Sequence, residues 1–421
     1  MHADKSPAPR AAYNAGPVYL IEALASTGGT LFTVGVFFYT ANRFGWGLKE
    51  NFLLAAVQGG IYIFGALAAS RLAGRLSHRS AAILLHVAMA IACTAGVIAG
   101  QFNHRAGVTA VLLLYTLLSA MAWPILESIV SLGADARTMA RRLSMYNVVW
   151  PSTGTATLAV TGWLIKSMPM ALFLFPAVAH LVCVGAAMAL RFNRAALSAP
   201  ADAHAAHPPP EPALLRMRTV ALWVSRLGLP ATYAVIYGLM PLMPALPAMA
   251  RLDTPTQTVV SSTWLLARWL TFTALAAGTW WHTRPRAMVI AAIVMLVAFI
   301  GIVLAPSQVF GPQVPATADL VALMGWQVVL GAALGMIYTG SLYFGMVLSD
   351  GSAEHSGYHE ALIGLGWVLG PAAGAIAQLL WPDDPLAGMK GVGAVIAGSV
   401  AAVCTAGLAL RDRPTRTTTT R

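Results

Sequence analysis

Four charged side chains stand inside otherwise apolar runs of this 421-residue chain: Glu22 in "YLIEALAS", Glu127 in "WPILESIV", Arg226 in "VSRLGL" and Arg268 in "LLARWL". A charge at the centre of a bilayer-spanning helix costs roughly 2.5–3.5 kcal/mol on insertion scales, so each is a functional candidate by default. A carboxylate among apolar neighbours can take up and release a proton or meet a cation, and an arginine can pair with it or hold an anionic group. The expectation is that Arg226 or Arg268 pairs with Glu22 or Glu127. The competing reading is an ion pair that only sets helix register, or a side chain that snorkels to the interface. Trp123, Tyr338 and Tyr343 offer ring faces with polar edges that suit contact with a small solute.

Other chemistry fails on its own terms. The stretch "HEALI", His359 to Ile363, begins like the zinc helix H-E-x-x-H, but Ile363 occupies the second histidine position and a ligand is missing. His359 and Glu360 then read as gate or helix-capping residues, since a carboxylate in a first turn favours the helix N-terminus. His204 and His207 lie in a proline-rich stretch without cysteine or carboxylate partners. His86 and His180 read as packing residues, and Cys93, Cys183 and Cys404 each sit in a long apolar run as small hydrophobes. No phosphate-binding loop and no nucleophile with a base can be assembled, so neither a cofactor nor a resident metal is expected, and the chain does not read as an enzyme.

The elements that must position these residues follow from composition. Hydrophobic residues make up 58% of the chain and charged ones 10%, against about a quarter in soluble domains. Runs long enough to cross a bilayer, roughly 20 residues each, fall at 17–40, 51–73, 81–101, 106–132, 145–166, 169–190, 219–247, 258–280, 286–306, 319–348, 359–381 and 388–410. The fold class expected is an all-α membrane protein of twelve spans. The first half is 17–190 and the second 219–410, with an N-terminal tail 1–16, a linker 191–218 and a tail 411–421. Placing both termini in the cytoplasm puts eighteen of the 26 lysines and arginines on that side, as the positive-inside rule asks. The net charge of +11 is thereby a matter of topology and anionic headgroups, and no basic stripe with interleaved aromatics points to nucleic acid.

The halves also echo one another. "YNVVWPSTGTATLAVTG" (146–162) and "YHEALIGLGWVLGPAAG" (358–374) keep Tyr146 with Tyr358, Gly154 with Gly366 and Gly162 with Gly374, and two residues upstream Ser144 pairs with Ser356. Gly366, Gly370 and Gly374 recur on one helix face, and Gly154 and Gly162 are two such steps apart, which lets a neighbouring backbone come close. Parallel six-span repeats are the layout of the major facilitator superfamily, and the chain resembles that family over nearly its whole length. Its loop signature between spans 2 and 3 corresponds to "SRLAGRLSHR": Arg75, His78 and Arg79 hold the basic positions, whereas Gly74 stands where an acid is expected and Ser70 where a glycine is. In the counterpart "GTWWHTRPR", Gly278 and Arg286 fit and His282 replaces the acid. The arginine common in span 4 of proton-coupled members is absent.

The resemblance implies that spans 1, 4, 7 and 10 line a central cavity, which would gather Glu22, Glu127 and Arg226 around one pathway. It makes Arg75, Arg79, Asn147, His359 and Glu360 candidates for a cytoplasmic gate. The function it implies is secondary transport of a small solute by alternating access, coupled to protons or Na+, by a monomer embedded in the lipid of a bacterial plasma (inner) membrane. A non-transporting sensor or assembly partner on the same fold is the alternative. A water-accessible cleft lined by Glu22, Glu127, Arg226 and Tyr338 supports the first and an apolar, filled centre the second.

Overall fold

The computed structural model describes residues 13–134, 136–193, 211–311, 313–348, 353–384 and 386–409. Twelve long helices run through them: α1 (Ala15–Phe44), α2 (Leu48–Arg75), α3 (His78–Gln101), α4 (Arg105–Ser131), α5 (Ala136–Ser167), α6 (Ala171–Met188), α7 (Pro212–Leu242), α8 (Thr254–Ala276), α9 (Arg286–Val303), α10 (Ala316–Leu348), α11 (Ala353–Leu380) and α12 (Ala387–Ala409). Apolar composition makes helix obligatory here, because only a helix satisfies every backbone group within one segment of a bilayer. The ends are punctuated locally. Gly45 closes α1 at φ 64°, where a Cβ would be strained, and the side chains of Ser77, His104 and Asp253 accept backbone N–H groups at the starts of α3, α4 and α8.

Three helices start six to nine residues earlier than their apolar runs. α5 begins at Ala136, α7 at Pro212, inside the stretch 191–218 read as linker, and α11 at Ala353. Each extension is polar, and hydropathy alone cannot distinguish a polar helical turn from a loop. Polar residues spread along α5 also keep it out of the eleven helices that qualify as spans by length and composition. Its packing makes it the twelfth. The 1–12 and 410–421 tails, His204 and His207 lie outside the described residues.

The packing repeats after six helices. In the first half α1 packs on α5 and α6, α2 on α4, and α3 on α4 and α6; in the second α7 packs on α11 and α12, α8 on α10, and α9 on α10 and α12. Two junctions join the halves, α2 with α11 and α5 with α8, and they too are equivalent under the repeat. Large apolar side chains such as Phe64, Ile91, Leu181, Ile290 and Val321 stand exposed. In water they would drive aggregation, whereas in hydrocarbon they meet their natural solvent. The protein is an integral membrane protein of two pseudo-symmetric six-helix bundles.

The glycines of the repeat sit where helices pack closely. A methyl group at Gly370 would stand 2.5 Å from the Ala234 carbonyl oxygen of α7, and one at Gly366 would strike the Pro230 carbonyl of the same helix. On the first half Gly154 faces Thr30 of α1 and Leu265 of α8. Gly162 faces the Thr254 backbone of α8, and Gly374 the Phe52 ring of α2, so these two lie at the equivalent junctions between halves.

Candidate functional site

A cavity of ≈ 120 Å³ lies where the two bundles meet. Its walls come from both: Glu22 and Ser26 of α1, Tyr62 of α2, Trp123 of α4, Tyr146 and Trp150 of α5, Tyr233 and Tyr237 of α7, Trp264 and Arg268 of α8, Tyr338 of α10, and Glu360 and Trp367 of α11. A concave lining of aromatic groups with a few convergent polar ones is what small-molecule sites share.

Arg268 is 1% exposed. Its guanidinium lies 4.8 Å from the centroids of Trp150 and Tyr338, 5.4 Å from Phe272 and 5.6 Å from Tyr233. Among the described residues its one hydrogen bond is to Tyr233 Oη at 3.4 Å, and Nε has none. Glu22 is fully buried with both carboxylate oxygens unpaired, beside Tyr146 and Ser26. The expected ion pair between these arginines and glutamates does not form: among the described residues the ion pairs are Lys166–Asp253 and Lys390–Asp384. Four ring faces stand where the counter-charge was expected, since a desolvated guanidinium gains up to about 2 kcal/mol from a well-placed aromatic face.

Three other pathway candidates lie off the cavity wall. Arg226 is half-buried; it donates to His355 Nε2 at 2.9 Å and sits 5.9 Å from the Trp223 ring, and it forms no ion pair with Glu22. Tyr343 stacks on His282 at 4.2 Å and 13°. Glu127 is buried just behind the wall, where one oxygen accepts the Ser356 hydroxyl and Oε1 is unpaired. Trp123 and Tyr338 do line the space.

The gate candidates divide likewise. Because α11 starts at Ala353, its first-turn carboxylate is Glu354, and His359 and Glu360 lie a turn deeper at 2% and 3% exposure. Capping the helix is therefore not their role. Glu360 accepts the Tyr62 hydroxyl across the α2–α11 junction, and His359 Nδ1 lies 3.1 Å from Ser341 Oγ, with Nε2 unpaired. Arg75 is exposed at the end of α2, and Arg79 donates to the Met188 carbonyl within its own bundle at 2.5 Å. Asn147 is buried with Oδ1 unpaired.

The sequence reading passed over Tyr62, Tyr146, Tyr233, Tyr237 and Trp367 as cavity residues. The available signal was aromatic recurrence at four-residue spacing, Tyr146 with Trp150 and Tyr233 with Tyr237, which puts two rings on one helix face. Tyr237 and Trp367 stack at 3.7 Å and 3° across α7 and α11. His86 and His180 turn inward, their Nδ1 atoms 3.1 Å apart, with His180 Nε2 3.0 Å from Tyr115 Oη and Cys183 beside them.

No protein-family profile matches the chain, and no curated protein matches its sequence. Its structure is similar to that of the nucleoside transporter NupG, with a TM-score of 0.63 at 13% identity, covering 94% of this chain and 99% of that one. A point mutant of NupG gives 0.64 at 14%, covering 94% and 98%. At such identities the likeness is one of fold, and the fold is that of the major facilitator superfamily.

Proposed function

We propose that this protein is a secondary transporter that carries a small, ring-bearing polar solute between its two bundles, 17–190 and 219–410. The observation that carries the reading is the cavity: it lies between pseudo-symmetric halves and holds buried, unpaired charge that a static core would not keep. A non-transporting sensor on this fold has no need of that expense. The aromatic walls fit planar ring faces, and Arg268, caged by rings and short of hydrogen bonds, is placed to receive an electron-rich edge such as a carbonyl or an anionic group. A nucleoside, the solute class named for NupG, has both features and is the first substrate to try. Glu22 is the carboxyl group available for proton coupling. The lysine and arginine bias supports cytoplasmic termini and a bacterial inner membrane.

The test is uptake of radiolabelled nucleosides, then other metabolites, into proteoliposomes. Arg268→Ala is expected to lower solute uptake at least about tenfold with normal reconstitution, from the loss of one charge-assisted hydrogen bond and its cage. Uptake undiminished in both Arg268→Ala and Glu22→Gln would remove these residues from the mechanism.

A further inference from the structure

Glu127, His359 and Glu360 each present one ligand atom such that all three lie within 4.8 Å of one another. Glu127 comes from α4 in the first bundle and the other two from α11 in the second, so the cluster spans the junction. Three observations show a group prepared for a cation. His359 Nδ1 is held by Ser341, which leaves Nε2 as an unpartnered, buried nitrogen. Metal-binding histidines are fixed in this way, through a bond to the ring nitrogen that does not ligate. Glu127 Oε1 is likewise buried and unpaired while its other oxygen is anchored by Ser356, and Glu360 is anchored by Tyr62. No counter-charge reaches the pair of carboxyl groups: Arg268 is committed to its rings and Arg226 to His355.

We propose that Glu127, His359 and Glu360 form a site for one divalent first-row transition-metal ion bridging the two bundles. The imidazole nitrogen favours such an ion over Ca2+ or Mg2+, which prefer all-oxygen shells. Two carboxylates and a dication cancel formally, as burial requires. Ligands about 2.1 Å from a zinc-type ion sit roughly 3.4 Å apart in a tetrahedron, so side-chain turns of about 1 Å close the set, and the cavity gives access for solvent ligands. The H-E start of "HEALI" thus supplies two ligands, and the third comes from another helix rather than from position 363. Bound there, the ion holds α4 against α11 and favours the closed junction.

The proposal adds an ion to the cavity assigned above to transport, but it is read by binding alone. Failed uptake leaves it standing, and failed ion binding leaves solute transport standing. The experiment is a calorimetric titration of tag-free, full-length protein in detergent with Zn2+, repeated with Mg2+ and Ca2+, and thermal unfolding with and without Zn2+. One saturable Zn2+ site is expected, with a raised Tm and no response to Mg2+ or Ca2+. His359→Ala and the near-isosteric Glu360→Gln should each weaken Zn2+ binding at least about tenfold, and His86→Ala should leave it unchanged. If His359→Ala does not fold, Glu360→Gln decides. The proposal is overturned by no saturable Zn2+ binding, by equal affinity in the ligand variants, by equal binding of Mg2+, or by loss in His86→Ala, which would move the ion to the His86–His180–Cys183 cluster.

Discussion

Gly370→Ala adds one methyl group at a close approach of α7 and α11, and the structure fixes what it meets. The new carbon would stand 2.5 Å from Ala234 O, 2.8 Å from its Cα and 3.0 Å from its carbonyl carbon, all backbone atoms that cannot rotate away. Comfortable contacts begin near 3.5 Å, so the helices must part by about 1 Å, at an overpacking cost of about 1–3 kcal/mol. Alanine recovers up to about 1 kcal/mol through helix propensity, which leaves a net loss of about 0–2 kcal/mol. Gly398 on α12 has nothing within 4 Å of a Cβ. There the same substitution keeps only the propensity term and is expected to stabilise by up to about 1 kcal/mol. The two variants should therefore separate by about 1–3 kcal/mol with the parent between them. A thiol-reactive dye reads this during heating, because Cys93 and Cys183 are buried and react only on unfolding. A Gly370→Ala protein as stable as the Gly398→Ala protein would refute the argument that close approach explains this glycine.

Ser356→Ala leaves a buried Glu127 oxygen without its donor and should destabilise by about 1–3 kcal/mol, whereas adding Glu127→Ala should cost less than the sum of the two single changes; additive losses in a thermal-unfolding cycle would show the groups to be independent. Ser341→Ala frees the His359 ring and leaves its Nδ1 buried without a partner, so it is expected to lower Tm without metal by the loss of about 1–3 kcal/mol and to weaken Zn2+ binding about tenfold besides; unchanged affinity would contradict the assigned tautomer. Outside the membrane spans, burial, with a smaller effect of Arg218, pushes the His282 pKa down from the ordinary 6.5 to about 4. Below about pH 6.5 the unfolded chain binds a proton that the folded state refuses, so this group's contribution to stability falls as pH drops from about 6.5 toward 4. His282→Phe, which keeps the stack on Tyr343, should lose less Tm between pH 7.5 and 5 than the parent, and an equal loss would show that His282 is not the group responsible.

The parts of this molecule that the sequence discloses are those set by one-dimensional pattern. Apolar runs give the twelve spans, and the 212-residue echo of Gly154 and Gly162 gives the pseudo-symmetry, because close helix approach tolerates only glycine at those points. Side-chain partners were not readable in the same way. Nothing near Arg268 in the chain indicates that Trp150, 118 residues earlier, and Tyr338, 70 residues later, would cage it. The depth of His359 was misjudged because Ala353 to Tyr358 is polar yet helical, so the apolar run began a turn late. Glu127 looks like a cavity residue by position, and only the rotation of α4 turns it toward Ser356.

The two junctions between the bundles are equivalent in helix order but not in the kind of polar contact. At α5–α8 the Gly162 N–H donates to Thr258 Oγ1 at 3.0 Å, a neutral bond worth about 1 kcal/mol, Thr258 Oγ1 lies 3.3 Å from the Ala159 carbonyl oxygen, and the exposed Lys166–Asp253 pair adds at most about 1 kcal/mol. At α2–α11 and α4–α11 two hydroxyl–carboxyl bonds cross between the halves, Tyr62 to Glu360 and Ser356 to Glu127. Each acceptor is a buried carboxyl group with no ion pair among the described residues, so each bond contributes about 1 kcal/mol, as between neutral groups, and the two ends are of similar strength. Glycine-mediated backbone contact occurs at both junctions, at Gly162 on Thr254 and at Gly357 and Gly364 on Ala66 and Ile63, so packing does not distinguish them. What differs is that the bonds at the α11 end fall on carboxyl groups, whose contacts a proton or a cation can change. Under the proposed transport cycle, opening that end would break the bonds at Glu127 and Glu360, and that carboxyl pair, rather than the degenerate loop at Arg75 and Arg79, would be its latch.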